Sequence, residues 1–366
     1  MLTGRSLTSF RKNLLNWFAQ FQRELPWRRN KDAYRVWLSE IMLQQTRVAA
    51  AIPYYERFLE RFPDVKALAE APEEDVLRLW SGLGYYSRAR NLQKAAREII
   101  AKHHGIFPST TKEALGLPGI GSYTAAAILS IAYDKKLAVL DGNVARVLAR
   151  LGAIEGDLRA NSRWLSLQKT ADALLDQQAP GDWNQAMMEL GATICTPRSP
   201  QCLLCPVSVD CEARKRGLVD RIPEKRNKRA TEEIALAALV LVDAKGRTLL
   251  LPPPKTLPKS KSHANVTALL SRLWHFPTIE VKGDAAGELL TYVETNFLAA
   301  KRLKITLQSL RKVRHAVTYR SITLLPFRAE VTKLPAIATA KVLPLADLSS
   351  VPISNLTRKV ARAALG

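Results

Sequence analysis

The chemistry that this chain could perform is concentrated in a few residues. All four cysteines of its 366 residues fall within seventeen positions, as Cys195-x6-Cys202-x2-Cys205-x5-Cys211. Four thiolates so spaced can close on one metal centre, whereas a disulfide framework would spread its cysteines along a secreted chain. A tetrathiolate zinc site usually pairs two C-x2-C knuckles, and only one is present; the 6-2-5 spacing also differs from the ferredoxin run. A metal centre is expected, with zinc and an iron-sulfur cluster both open at this point. Glu40 lies beside Ile41, Met42 and Leu43. Apolar neighbours of that kind can protect a carboxyl and raise its pKa, although most such glutamates are ordinary surface residues. Asp141 and Asn143, in Asp141-Gly142-Asn143-Val144, stand where a helix begins. Capping is their plain role, and a carboxylate there could also face a bound duplex.

These residues need elements to hold them. Residues 6 to 25 show a helical period through Leu14, Leu15, Phe18 and Phe21, ended by Pro26. A long helical stretch with one break at Pro53 is expected from Asp32 to Phe62, carrying Glu40. The sequence Trp80-Ser81-Gly82-Leu83-Gly84-Tyr85-Tyr86 reads as an irregular loop able to expose an aromatic that could wedge between bases; a core tyrosine is the commoner outcome. Leu117-Pro118-Gly119-Ile120-Gly121-Ser122-Tyr123 joins two helical segments as a helix-hairpin-helix. Gly119 and Gly121 let the backbone turn tightly and present amides to a phosphate. Residues 183 to 194 form a helix leading to Cys195, and the basic run from Arg214 to Arg229 reads as a linker. Beyond it, Ile234–Val242 and Arg247–Leu251 are expected as a hairpin around Asp243–Gly246. Strands at Val313–Val317 and Ile322–Phe327 and a helix over Ala285–Ala300 make the second domain α+β.

The net charge of +22 and pI near 10.1 point to a polyanionic partner. Residues 1–232 carry 35 Lys+Arg against 25 Asp+Glu, and residues 233–366 carry 20 against 8, so both halves share the excess. That balance favours nucleic acid over a basic tail on a neutral enzyme. No apolar run reaches membrane-spanning length and no signal-peptide cleavage site is evident, so a reducing, cytoplasmic setting (nucleoid-associated if bacterial), no membrane partner and a monomer are expected.

Four motifs, in order and over nearly all of residues 20 to 211, resemble those of the adenine DNA glycosylases of the MutY type, in the helix-hairpin-helix superfamily that also holds endonuclease III. The resemblance implies an all-α helix-hairpin-helix glycosylase fold over residues 1–222, including an iron-sulfur cluster loop at 195–211. A basic linker at 223–232 and a Nudix-like domain at 233–366 would follow. It implies removal of adenine mispaired with 8-oxoguanine or guanine in double-stranded DNA. Ser39-Glu40-Ile41-Met42-Leu43-Gln44-Gln45-Thr46 resembles the catalytic helix, making Glu40 the general acid. Leu140-Asp141-Gly142-Asn143-Val144 resembles the segment of the second carboxylate, and Asn143 is grouped with it. Tyr123 resembles the tyrosine beside the flipped base. Gln45 and Tyr85 would fill the gap in the duplex, Trp27, Arg28 and Gln185 would line the adenine pocket, and Cys195, Cys202, Cys205 and Cys211 would ligate a 4Fe-4S cluster.

Adenine leaves badly as an anion, so a protonated Glu40 would supply a proton at N7 and Asp141 would stabilise the oxocarbenium-like sugar. Strand-nicking relatives carry a lysine at the position of Tyr123, so a monofunctional enzyme leaving an abasic site is expected, with Lys112 and Lys135 the nearby amines. The C-terminal half lacks the glutamate-rich helix of Nudix hydrolases, since Gly287–Glu294 does not supply it. The family's lesion-reading Phe-Ser-His corresponds to Val317-Thr318-Tyr319, so Thr318 and Tyr319 are the expected contacts to the opposite base. Two rival readings are a mismatch-specific thymine glycosylase and a non-catalytic iron-sulfur DNA-binding redox sensor; the second leaves Glu40 and Asp141 without a role.

Overall fold

The computed structural model describes residues 4–224, 230–253, 273–297 and 305–366. Residues 225–229 of the expected linker and 298–300 of the expected second-domain helix lie outside that set. The chain forms two compact units, Met1–Ala71 with Ser87–Asn227, and Pro72–Tyr86 with Lys228–Gly366. Residues 72–86, which the sequence reading leaves in the first domain, therefore group with the second. Side chains of the second unit hold them there, Asn355 and Lys341 among them.

The first unit is helical among its described residues. Helix α1 (Gly4–Phe21) buries Phe10, Leu14 and Phe18. Helix α2 (Ala33–Leu43) is capped by Asp32, which accepts from the Arg35 amide at 2.9 Å, and it buries every residue from Val36 to Met42. A helix apolar on nearly all sides belongs in a core. The break expected at Pro53 is displaced. Helix α3 (Val48–Arg61) runs straight through Pro53, and the chain instead breaks at Gln44–Arg47, where Gln45 takes a left-handed φ of 59°. Arg88, from α6 (Ser87–His103), stabilises that break. Its guanidinium donates to the carbonyls of Ile41 (2.7 Å), Met42 (3.1 Å) and Gln44, which the end of α2 leaves without helical partners.

The hairpin follows α7 (Thr111–Gly116), whose cap Thr110 accepts from the Glu113 amide while its hydroxyl donates to the Glu113 carboxylate. Gly119 sits at φ 79°, and a Cβ there would come within 2.8 Å of Asn91 Cβ, so only glycine makes this turn. Helix α8 (Ser122–Tyr133) then buries Ala125, Ala127, Ile128 and Leu129; its small residues let it lie close against α2. Helix α9 (Gly142–Leu151) and α11 (Pro180–Thr193) complete the frame. They approach closely because Gly191 lacks a side chain, since a Cβ would lie 2.7 Å from Asn143 Cβ.

In the second unit β1 (Glu232–Asp243) pairs in parallel with β6 (Arg320–Val331) and antiparallel with β3 (Thr278–Glu280). β6 takes one edge of β1 along its whole length and β3 the other at Leu236–Ala238, while β2 (Arg247–Leu250) pairs with β7 (Lys341–Pro344). The expected β1–β2 hairpin is thus corrected to two consecutive strands in different sheets, although the Asp243–Gly246 turn forms as read. Alternate residues of β1 face two cores. Ile234, Leu236, Ala238 and Val240 meet the helix Asn355–Leu365, while Ala237, Leu239 and Leu241 meet the helix Ala285–Phe297, as a sheet covered on both faces requires. Strand β5 (Val313–Val317) joins β6 through a two-residue turn at Thr318-Tyr319.

Candidate active site

Glu40 is 7% exposed, which removes the surface-glutamate reading. Tyr123, in the first turn of α8, donates its hydroxyl to Glu40 Oε2 at 2.8 Å and lies 3.2 Å from Met188 Sδ. Burial lifts the Glu40 carboxyl to about 7; the Tyr123 hydrogen bond and Arg28 pull it down, and the charge of Asp141 pushes it up. A carboxyl so raised keeps a share of its protons near neutral pH, as an ordinary glutamate does not. Tyr123 itself stays neutral, its pKa raised by burial and by both carboxylates.

Asp141 is the N-cap of α9. Its Oδ1 accepts from the Val144 amide at 2.7 Å and its Oδ2 from Asn143 Nδ2 at 3.0 Å. Burial raises its pKa, against these hydrogen bonds and Arg146. The capping role and the proposed catalytic role coincide in one residue, because the amides that it caps also stabilise its charged form.

Glu40, Tyr123, Asp141 and Asn143 line one cavity of about 350 Å³, and Trp27, Arg28, Gln45 and Gln185 line it too. Eight residues singled out from the sequence therefore converge. A ninth group went unnoticed there. Glu189, 1% exposed, also lines the cavity and accepts from Arg23 Nε (2.6 Å), Arg23 Nη2 (2.8 Å) and Arg28 Nη2 (2.8 Å). Burial works upward on it, but the hydrogen bonds from Arg23 and Arg28 hold it at about 2. Two buried carboxyls in one cavity are thus driven apart, one toward the acid and one toward the fixed anion. Its spacing of four from Gln185 on α11 places both on one helix face, and that was the available signal.

The four cysteines are free thiols, each partly buried, and all line one small apolar cavity with Arg150 and Arg214. Among the described residues no group of three His, Cys, Asp or Glu side chains is gathered as a site for a metal ion. The donor set nevertheless fits an anionic, thiolate-held group. Every candidate ligand is sulfur, and Arg150 Nη1 lies 3.3 Å from Cys195 Sγ. Burial pushes Cys205 to about 12 and raises Cys211, so these two would need a metal's charge to form thiolates. Arg146 connects this loop to the carboxylate site: it donates to the Cys195 carbonyl at 2.8 Å, to Asn143 Oδ1 at 2.9 Å and to the Gly191 carbonyl at 2.7 Å.

Outside the cavity, Gly121 precedes α8 with no side-chain cap, leaving the amides of that helix start without one. Tyr85 (φ 49°, 42% exposed) and Thr318 (φ 55°) belong to the second unit. Together with Gln45 they are three of the seven non-glycine residues with positive φ among those described, a costly conformation that gathers at functional sites. Tyr319, beside Thr318, has the Arg320 guanidinium 5.5 Å from its ring centre, and Arg320 pairs with Glu232 at 3.0 Å. No described helix is long and apolar enough to cross a membrane.

Residues 38–178 match the HhH-GPD superfamily of base excision DNA repair proteins. The chain is 46% identical over 239 residues to adenine DNA glycosylase of Rattus norvegicus, covering 63% of this chain and 46% of the rat protein. It therefore spans about half the length of the mammalian relatives it matches. It is 34% identical over 313 residues to adenine DNA glycosylase of Buchnera aphidicola subsp. Baizongia pistaciae, covering 85% of this chain and 84% of that protein. Among solved structures it is similar to a thermostable thymine-DNA glycosylase, with a TM-score of 0.53 and 29% identity over 57% of this chain and 97% of that one.

Proposed function

Because the chain belongs to the adenine DNA glycosylase family, we propose that it hydrolyses the bond between deoxyribose and an adenine mispaired with 8-oxoguanine or guanine. The observation that carries this reading is Glu40, a buried carboxyl at about 7 facing the same cavity as Asp141 and Tyr123. A duplex would approach the hairpin, where Gly119, Gly121 and the start of α8 offer backbone amides to phosphate. Adenine would leave the stack at a cost of about a few kcal/mol, with Gln45 and Tyr85 occupying the gap.

In the cavity, Trp27, Arg28 and Gln185 would surround the base, with Arg28 aimed by Glu189. Tyr123 engages Glu40 Oε2, leaving Oε1 to carry the proton delivered to adenine N7. The glycosidic bond breaks, its electron pair leaves with the protonated base, and Asp141 stabilises the sugar cation. Water adds at C1′ and its proton returns to Glu40. No amine stands at Tyr123, so the product is an abasic site. Thr318 and Tyr319 would read the opposite base.

Cys195, Cys202, Cys205 and Cys211 would hold a 4Fe-4S cluster, which supplies a rigid anchor for the loop that presents the exposed Arg198 to phosphate. The experiment is a panel of duplexes carrying A opposite 8-oxoguanine, A opposite G, T opposite G, and A opposite T, followed by alkali to cut at abasic sites. Cleavage of the first two strands at adenine is expected. Cleavage at T opposite G would favour the thymine-specific reading, and no cleavage at all the redox sensor.

A further inference from the structure

The loop Ser81–Tyr86 is expensive to hold. Gly82, Gly84 and Tyr85 all take positive φ, at 115°, 73° and 49°, and the tyrosine bears the cost that glycine escapes. Local bonds include the Leu83 amide to the Trp80 carbonyl at 3.1 Å, Trp80 Nε1 to the Gly84 carbonyl at 3.1 Å and the Gly82 amide to the Tyr86 hydroxyl at 3.3 Å. Further support comes from residues some 270 positions later. Ser81 Oγ donates to the Ile353 carbonyl at 2.6 Å, and the Tyr86 hydroxyl donates to the same oxygen at 3.1 Å. Asn355 Nδ2 donates to the Gly82 carbonyl at 3.0 Å. Arg358 Nη2 donates to Ser81 Oγ at 2.8 Å and to the Ser81 carbonyl at 3.2 Å. The preceding helix α5 (Glu73–Trp80) is tied in the same way, Glu74 accepting from Lys341 Nζ at 2.6 Å and Trp274 Nε1 at 3.2 Å.

We infer that the start of the C-terminal helix Asn355–Leu365 positions the Tyr85 loop for base extrusion, with Arg358 and Asn355 as its positioning residues. The inference rests on the gap-filling role proposed for Tyr85. A partner that merely covered this loop would need apolar contact alone. Here a guanidinium, an amide and a backbone carbonyl converge on one short loop, on its carbonyls and on the hydroxyls of Ser81 and Tyr86, and charge-assisted, convergent bonds of that kind fix geometry as well as adding stability. The C-terminal unit therefore acts at two points, at the opposite base through Thr318 and Tyr319 and at the stack through Tyr85.

The test uses the full chain and a duplex with 2-aminopurine in place of adenine opposite 8-oxoguanine, whose fluorescence rises on extrusion. Arg358→Ala should lower both the extruded fraction and the single-turnover rate on the adenine duplex about fivefold, with Arg358→Lys intermediate. Arg362→Ala, exposed on the same helix, should match the wild type. Tyr85→Ala should show the same loss, and the double variant Tyr85→Ala/Arg358→Ala should be no worse than Tyr85→Ala alone. Asn355→Ala, a milder change, serves if Arg358→Ala lowers the unfolding temperature. Wild-type extrusion in both Arg358→Ala and Asn355→Ala while Tyr85→Ala loses it would overturn the inference, as would additive losses in the double variant. A Tyr85→Ala protein with undiminished extrusion would instead remove the role of Tyr85 itself, and the inference with it.

Discussion

Replacing Glu40 with glutamine should stabilise the protein at alkaline pH while abolishing its chemistry. Burial holds the folded carboxyl at about 7, against 4.5 in the ordinary case. The unfolded chain therefore releases this proton first, and native stability falls as pH rises between those two values. Above the folded value the difference is complete, at about 3 kcal/mol for a shift of roughly two and a half units. Glutamine still accepts from Tyr123, but its amide protons find fewer partners in the cavity, a loss of about 1 kcal/mol. The net gain is then about 2 kcal/mol, or about 4–8 °C in Tm for a unit of this size. Scanning calorimetry of Glu40→Gln and the wild type at pH 8.5 and pH 4.5, following the transition of the first unit, should show the gain at the higher pH alone. An equal difference at both values would mean that Glu40 carries no elevated pKa, and the assignment of a proton donor would fail with it.

Three further outcomes are expected. Glu189→Gln leaves the largely buried Arg28, and the more exposed Arg23, without their anion, so urea unfolding should show a loss of about 3 kcal/mol and binding to the mispaired duplex should weaken; unchanged values for both would mean that Glu189 does not position Arg28. Gly191→Ala, whose Cβ would meet Asn143 at 2.7 Å, should cost about 1–3 kcal/mol and slow excision more than binding. Gly116→Ala, with open space around it, serves as the control. Protein purified without air should be brown with about four irons, and Cys202→Ser should lose them; stoichiometric zinc without visible absorbance would contradict the cluster.

Much of the site was legible in the sequence because its signals are local. The apolar neighbours of Glu40 allowed for its burial, the Asp141-Gly142-Asn143 turn reported a helix start, and the glycines of the hairpin reported their own backbone. What was not legible depends on partners remote in the chain. Arg88 ends α2 by capping carbonyls more than forty residues earlier, so the break moved from Pro53 to Gln45. Glu189 is fixed by arginines about 160 residues away, a pairing that its apolar neighbours Met187, Met188 and Leu190 could not report. β2 left its expected hairpin to pair with β7, a strand far later in the chain. Residues 72–86 joined the second unit because Asn355, Arg358, Lys341 and Trp274 hold them there. Pairings of this kind are set by tertiary geometry rather than by periodicity.

The most direct test of the central claim is the pH dependence of adenine release in a single turnover, on a duplex with A opposite 8-oxoguanine and enzyme in excess. With Glu40 as the donor, the wild-type rate should fall as pH rises through about 7, because only the protonated carboxyl serves. Glu40→Gln should release no adenine at any pH while still binding the duplex within a few fold. A Glu40→Gln protein that releases adenine near the wild-type rate, with the same pH profile, would show that the proton comes from elsewhere.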